Sequence, residues 1–578
     1  MARARSIGLH LVAAAGLGVA IWLLLGRTAF VNYDSAWSLN WMRELLAESR
    51  RPDLERLFSP TPHPLSDAFS GLLVPLSDAG SGAVGRGAET ALVVSALFWL
   101  GALGVVTFRL GAAWFGTAAG VVAAVLVLTR EPVLSYGLRT YLDLPYAVFL
   151  LLALLAETRR PRNGVATLAW ITLAGLLRPE AWLLAGAYVT YLLVHEVRTA
   201  SPPSAEPGGR DERHEDGRYA AKPAADPVRD ALLAPTPRER VAGWLARLDR
   251  RRTALLLALA AVAPLGWLVE GLVLAGDPLQ ALTGTQQNAA DLDRVTGLGS
   301  AVTVMPRRLG EIVREPVLLA AAGGALLSLA FLRRRALLGA AAGVAAAVAF
   351  FVLAAAGLPL LTRYLVFPGT ILILFAAAGL LGWRRLEADH PWRRRWQAFA
   401  TVCVVAFVAF TPSQVDRVDR LQDALALQQR VIGDLRTVTG EVLRPVLALD
   451  RCAPTSGPDV GTSTRAGAGL PVDVALPNHR AVPQVLLWLG DPVRTPTSDD
   501  DGRPSVASRV DGRAATVTLL PADERVARGF ILDRADRGRG LPAPPAGARL
   551  AGVLGSWRVY GREPRCTALL RERLAALR

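Results

Sequence analysis

The sequence predicts a polytopic α-helical membrane protein of about eleven transmembrane helices, followed by an extracytoplasmic C-terminal α/β domain. Three observations carry that expectation. The 578-residue chain is 52% hydrophobic and only 20% charged, with a mean hydropathy of +0.33, a balance too apolar for a water-soluble enzyme. Apolar runs near the length that spans hydrocarbon recur at about 7–26, 90–108, 112–129, 144–156, 253–275, 317–332, 336–357, 364–382 and 396–410. Arginine clusters then flank the runs at alternate boundaries, all on one side when the crossings are counted in order.

Taken from the start, the first run follows the basic stretch "MARAR" and has no small-residue cleavage site after it, so it reads as an uncleaved helix. Residues 27–89 form a first external loop. The apolar stretch 164–195 is broken by Arg178-Pro179-Glu180 and counts as two short spans. Residues 196–252 are rich in Pro, Gly, Ala and charges of both signs and too poor in large apolar residues to build a core, which predicts a disordered loop. Arg3 and Arg5, Arg159 to Arg162, Arg250 to Arg252, Arg333 to Arg335, Arg384 with Arg385, and Arg393 to Arg395 mark the cytoplasmic side and put the N-terminus there. Segments 130–143, 276–316, 358–363 and everything after about 411 then lie outside. Residues 1–411 thus form a transmembrane domain and 412–578 a C-terminal extracytoplasmic one.

In that tail, Val415, Val418, Leu421, Leu425, Ile432 and Leu435 keep a helical spacing and predict an amphipathic helix leading out of the membrane. Strand-like runs follow: "PVLAL", "QVLLWL", "ATVTLL", "GFILD" and "SWRVYG". Cys403 falls within a span, whereas Cys452 and Cys566 bracket the tail on the oxidising side and are expected to form a disulfide. The net charge of +15 is explained by arginines at membrane boundaries, and no basic face with interleaved aromatics calls for nucleic acid. Lys222 is the single lysine among 64 basic residues, a bias of GC-rich bacterial genomes that suggests a bacterial cytoplasmic membrane.

The polar residues at the span edges gather on the outer side. Asn32, Tyr33, Asp34 and Trp37 follow the first span, and "PTPHPLSD" in the same loop carries His63 and Asp67. "YGLRTYLDLPY" supplies Arg139, Tyr141 and Asp143, "LLRPEAW" supplies Arg178 and Glu180, and "LPLLTRYL" supplies Arg363 and Tyr364. Each has a plainer use: Asp34 as cap of a helix starting at Ser35, Glu180 as partner of Arg178, the arginines as snorkelling side chains. Together they describe a carboxylate able to deprotonate an attacking hydroxyl, or to hold a divalent ion, beside guanidinium forks that suit a departing phosphate. A phosphate arriving at headgroup depth is a lipid phosphate. The chemistry indicated is sugar transfer from a polyprenyl-phosphate-linked donor to an acceptor hydroxyl on a glycan, lipid or protein. A transporter or flippase of an anionic lipid-linked substrate, and a non-catalytic envelope scaffold, are the alternatives. Trp37 and Trp41 offer flat faces that stack on sugars or anchor the loop. Asn478, His479 and Arg480, where a strand-like piece meets a helix, suit either acceptor binding or an ordinary capped turn.

The layout resembles the GT-C superfamily of membrane glycosyltransferases, on the strength of Asp34 in "NYDSAW", Asp143 in "RTYLDLPY", Arg178 and Glu180 in "LLRPEAW" and Arg363 in "TRYL", over roughly residues 1–411. The resemblance implies a single inverting displacement with Asp34 as base. Asp143, Glu180 or Asp67 is expected as a second carboxylate, and Arg139, Arg178 and Arg363 as ligands of the donor phosphate. Tyr33, His63, Tyr141 and Tyr364 become substrate contacts. Where many relatives carry an acidic pair, this chain has Asp34 followed by Ser35, so the resemblance leaves a divalent metal open rather than implied.

Overall fold

The computed structural model describes residues 2–52, 54, 59–77, 85–199, 248–447, 474–489, 509–510, 513–514, 516–528 and 541–577. Leaving short turns aside, the chain opens with α1 (Ala2–Leu24), α2 (Tyr33–Leu46) and α3 (Pro64–Leu73). Next come α4 (Arg86–Phe115), α5 (Thr117–Leu128), α6 (Glu131–Leu138), α7 (Asp143–Arg159), α8 (Val165–Gly175) and α9 (Glu180–Thr199). They are followed by α10 (Arg250–Leu274), α11 (Gln280–Asp291), α12 (Leu298–Val313), α13 (Glu315–Phe331), α14 (Arg333–Ala355), α15 (Val366–Leu381) and α16 (Trp392–Thr437).

Among the described residues six helices are long and apolar enough to cross a membrane, or up to eight when each of two bent pairs counts as one span. The bent pairs are α5 with α6, at 67°, and α12 with α13, at 105°. The broken stretch at Arg178 does divide into two helices, α8 and α9.

Close packing of the bundle uses small residues, as expected where lipid supplies no hydrophobic drive between helices. A Cβ on Gly101 of α4 would run into the Ala14 carbonyl of α1, and one on Gly324 of α13 into the Phe375 carbonyl of α15. Helix α15, apolar on every face, is buried along nearly its whole length and forms the axis around which α4, α5, α7, α13, α14 and α16 pack. The arginine clusters sit at the starts of α10, α14 and α16 and at the end of α7. The cavity described below opens at the other ends.

The amphipathic exit helix is continuous with the last span: α16 runs 46 residues without a break, about 69 Å. Its far end carries the C-terminal domain. A four-stranded sheet of β1 (Val474–Ala475), β4 (Val517–Pro521), β5 (Arg549–Leu554) and β6 (Trp557–Gly561) has the order β1-β4-β6-β5, with β1 parallel to β4 and the other pairs antiparallel. A separate two-stranded ladder joins β2 (Arg509–Val510) to β3 (Arg513–Ala514). Helices α17 (Val482–Leu489) and α18 (Pro564–Ala576) complete the domain.

Two strand expectations are corrected. "QVLLWL" lies in α17, every residue of which is buried, and the described start of "PVLAL" is helical at Arg444–Leu447. A short run apolar on all sides has no period that separates a buried strand from a buried helix. "ATVTLL" and "SWRVYG" do supply β4 and β6. The edge strand β5 escaped notice because its sides are mostly exposed and a register shift between Leu550 and Gly552 interrupts alternation. "GFILD", most of the 196–252 loop and Cys452 lie outside the described residues. Cys566 is buried in α18, and Cys403 is a free buried thiol.

A second core joins the C-terminal domain to the membrane domain: Trp37, Leu39, Trp41 and Met42 of α2 pack with Val431 and Leu435 of α16, with Val482 and Leu486 of α17 and with Trp557. The Trp557 indole donates to the Val431 carbonyl at 2.9 Å, and the Ser556 amide donates to the Asp434 carboxylate at 2.8 Å. The first loop is therefore clamped between bundle and tail, which sets the position of its leading residues.

Candidate active site

Asn32, rather than Asp34, caps α2: its side-chain oxygen accepts from the Ser35 amide at 2.7 Å. The segment is laced to the turn after α6, with the Phe30 amide donating to the Leu138 carbonyl (3.1 Å), the Asn32 amide to the Thr140 hydroxyl (3.2 Å) and the Ser35 hydroxyl to the Thr140 carbonyl (2.9 Å). Those bonds hold Thr140 at φ +52°, a left-handed conformation costly for a β-branched residue. With capping done by Asn32, the Asp34 carboxylate is left to face inward from the first turn of α2. There its Oδ2 accepts from Arg363 at 2.6 Å.

Asp34 and Arg363 share a cavity of about 910 Å³, which Tyr33, His63, Arg139, Tyr141, Arg178 and Tyr364 also line. The arginines differ in what already holds them. Arg178, 5% exposed, is ion-paired to Asp143 and donates to Glu180 Oε1 at 2.7 and 3.1 Å, with its guanidinium 3.8 Å from the Tyr364 ring centre. Asp143 and Glu180 each give that cation one oxygen, their second oxygens are buried without a hydrogen-bond partner among the described residues, and neither residue lines the cavity. Arg363 is ion-paired to Asp34 alone among the described residues and lies 5.4 Å from the Tyr141 ring centre. Arg139 donates to the Ser135 carbonyl and hydroxyl, lies 5.5 Å from the Tyr141 ring centre, and has no carboxylate partner among the described residues.

Burial pushes the Asp34 carboxyl up, but the Arg363 guanidinium bonded to it, with His63 and Arg294 adding to the field, outweighs that and holds it below its ordinary value of 3.8. His63 is pushed down to about 3 by burial first and by Arg178 second, against the pull of Asp34. It is therefore a neutral imidazole at any physiological pH, set edge-on to Trp267 with ring centres 5.3 Å apart.

Three residues singled out in the sequence sit elsewhere. Asp67 is 3% exposed, accepts from the Ser38 hydroxyl and from the His63 amide at 3.0 Å, and shapes the loop instead of facing the cavity. Trp37 and Trp41 are buried against each other, 5.9 Å between ring centres, so neither presents a face to a sugar. Asn478 caps the turn before α17, accepting from the Arg480 amide at 3.1 Å, while His479 and Arg480 reach the cavity wall, His479 edge-on to Tyr33 at 5.5 Å.

Sequence reading missed Arg294, Asn288, Gln428 and Gln484, and the carboxylates Asp291 and Asp293, which also line the cavity. Arg294 follows α11 and has no ion-pair partner among the described residues. Gln428 is on the polar face of α16, a signal that the helical spacing of its apolar neighbours already contained. Among the described residues no three His, Cys, Asp or Glu side chains come together as a metal-ligand group.

No protein-family model matches the sequence, and no curated protein matches it. Among solved structures, ArnT from Cupriavidus metallidurans, described as bound to undecaprenyl phosphate, aligns at 14% identity over 96% of this chain and 98% of its own, with a TM-score of 0.45. The oligosaccharyltransferase of Archaeoglobus fulgidus aligns at 12% identity over 90% of this chain and 69% of its own, also with a TM-score of 0.45. Both are GT-C superfamily glycosyltransferases. The likeness is remote.

Proposed function

We propose that the chain is an inverting glycosyltransferase that moves a sugar from a polyprenyl-phosphate-linked donor to an acceptor hydroxyl, at the outer face of a bacterial cytoplasmic membrane and in the service of envelope glycan or glycoprotein synthesis. One observation carries the reading: Asp34 faces a large cavity, which Asp291 and Asp293 also line, and is the carboxylate there that the Arg363 guanidinium holds, with two further arginines, Arg139 and Arg294, not spent on carboxylates among the described residues.

The step divides among these residues as follows. The acceptor oxygen attacks the anomeric carbon, its proton passes to Asp34, and the bond from that carbon to the phosphate oxygen breaks. The electron pair leaves with the polyprenyl phosphate, which gains one negative charge. Arg139, Arg294 and Arg363 stabilise that charge, and Arg178, already matched by two carboxylates, keeps the wall and Tyr364 in place. In the absence of substrate the Arg363 bond makes Asp34 a weak base. A donor phosphate competes for Arg363, and its release from Asp34 raises the basicity of the carboxylate at the moment it is needed. The neutral His63 imidazole can hydrogen-bond a sugar hydroxyl without adding charge. His479, Arg480 and Gln484 bring the C-terminal domain to the acceptor side.

Transport is disfavoured by the axial helix: α15 carries no charged side chain from Val366 to Leu381, so the centre of the bundle offers no polar line for an anion. To test the enzyme reading, the purified protein is incubated with radiolabelled polyprenyl-phosphate sugars and an envelope extract as acceptor. Time-dependent release of polyprenyl phosphate from at least one donor is expected. Movement of intact donor across vesicles with no cleavage would refute the reading in favour of the transporter.

A further inference from the structure

A second cationic cluster lies apart from the cavity, where the two bent helix pairs meet α16. Arg130 occupies the break between α5 and α6, Arg314 the break between α12 and α13, and Arg417 sits on α16 beyond Pro412. None of the three lines the cavity. Arg130 is 7% exposed and gives its guanidinium hydrogens to the Leu126 and Val313 carbonyls and the Thr129 hydroxyl, at 3.1 to 3.4 Å, with no carboxylate in ion-pair range among the described residues. Glu131 is the one carboxylate paired within the group: it holds Arg314, lies 3.8 Å from Arg417 and accepts from Gln414 at 3.2 Å. Glu315 is exposed and forms no ion pair among the described residues. The Arg314 Nε is buried without a hydrogen-bond partner, and Arg417 makes no side-chain hydrogen bond within the described chain.

Three guanidiniums against the paired Glu131, with Glu315 adding its field at Arg314 from an exposed position, leave positive charge in excess. Fixed, partly buried positive charge of this kind calls for an anion, and arginine forks match tetrahedral oxyanions. The neighbouring surfaces indicate which kind. Val125 of α5, Leu319 of α13, and Val408 and Phe410 of α16 are all about half-exposed or more, one to three turns from the cluster toward the apolar middle of their helices. Charge at the helix ends above exposed aliphatic surface is the layout of a lipid headgroup site. We propose that Arg130, Arg314 and Arg417 bind the phosphate of an anionic membrane lipid whose acyl chains lie along α5, α13 and α16. Helix α6 runs from Arg130 of this cluster to Arg139 on the cavity wall, nine residues on, so a lipid held there sits about 13.5 Å from the cavity.

The test uses the full chain in a zwitterionic detergent, titrated with phosphatidylglycerol or phosphatidylcholine and followed by native mass spectrometry. Retention of phosphatidylglycerol well above phosphatidylcholine is expected. Arg417→Gln should weaken it about fivefold, the factor for about 1 kcal/mol per basic residue near a charged interface. Glu131→Gln, which removes the paired anion, should strengthen it, a gain that misfolding does not mimic. Displacement by millimolar glycerol phosphate would show that the headgroup alone is recognised, and failure to displace would show that the acyl chains are needed. Equal retention of the two lipids, or retention unchanged by both substitutions, would overturn the proposal.

Discussion

Arg178 and Arg363 line the same cavity, each beside a tyrosine ring, yet they are built differently. Arg178 meets two carboxylates, Asp143 and Glu180, and is sealed from solvent. Arg363 meets one, Asp34, with about a fifth of each side chain exposed. A cation overmatched by buried anions cannot leave them without stranding charge, so it holds the wall. A cation matched one to one at an open cavity can exchange its partner for an incoming phosphate. The contrast separates positioning from chemistry among residues of the same type.

That separation can be broken from either side. Arg178→Gln would leave two carboxylates buried and unpaired, a loss of about 3–5 kcal/mol. Thermal unfolding in detergent should show a collapse in midpoint or in folded yield, and an unchanged midpoint would erase the distinction. Arg363→Gln should fold normally but lose roughly tenfold or more in kcat/KM, as expected for removal of a charged hydrogen bond worth about 1.5–3 kcal/mol. It also changes the pH profile. Wild-type Asp34 sits below 3.8, so the acid limb of kcat/KM lies below that value. Without Arg363, burial dominates and the limb moves above 3.8. In the wild type the acid limb of kcat should lie at higher pH than that of kcat/KM, because donor phosphate draws Arg363 away in the complex.

Arg294→Gln tests a smaller share of the same phosphate contact: donor KM should rise about fivefold with the melting temperature unmoved, the size of one exposed charged contact. His63 gives the mildest effect. Its pKa of about 3 in the folded chain, against 6.5 unfolded, means that the unfolded state binds the extra proton between those values. Stability is therefore lost as pH falls from about 6.5 toward 3. His63→Gln should flatten that slope in a pH series of melting temperatures, and no rate inflection should appear near 6.5.

Much of this site was legible in the sequence because its charges stand at span edges, where a long apolar run makes any ionisable residue conspicuous. Asp34, Arg139, Arg178 and Arg363 were all found in that way. Their pairing was not legible, since Asp143 and Arg178 meet across two helices that the sequence separates by 35 positions. Nor was the division of labour between Asn32 and Asp34 visible, because either residue type can cap a helix and backbone geometry decides. Arg294, Gln428 and Gln484 escaped for a different reason: each lies in a segment polar enough to make one more polar residue unremarked, and the cavity assembles them only in three dimensions. Trp37 and Trp41 looked available for sugars because loop aromatics usually are, and they are buried because the C-terminal domain folds back over α2.

The most direct test is single-turnover release of polyprenyl phosphate from bound donor by the Asp34→Asn variant, with donor affinity measured on the same preparation. Donor binding should stay within a few-fold of wild type while release slows by about 10²–10⁴, the range for loss of a positioned base. Release at the wild-type rate would show that the acceptor proton goes elsewhere.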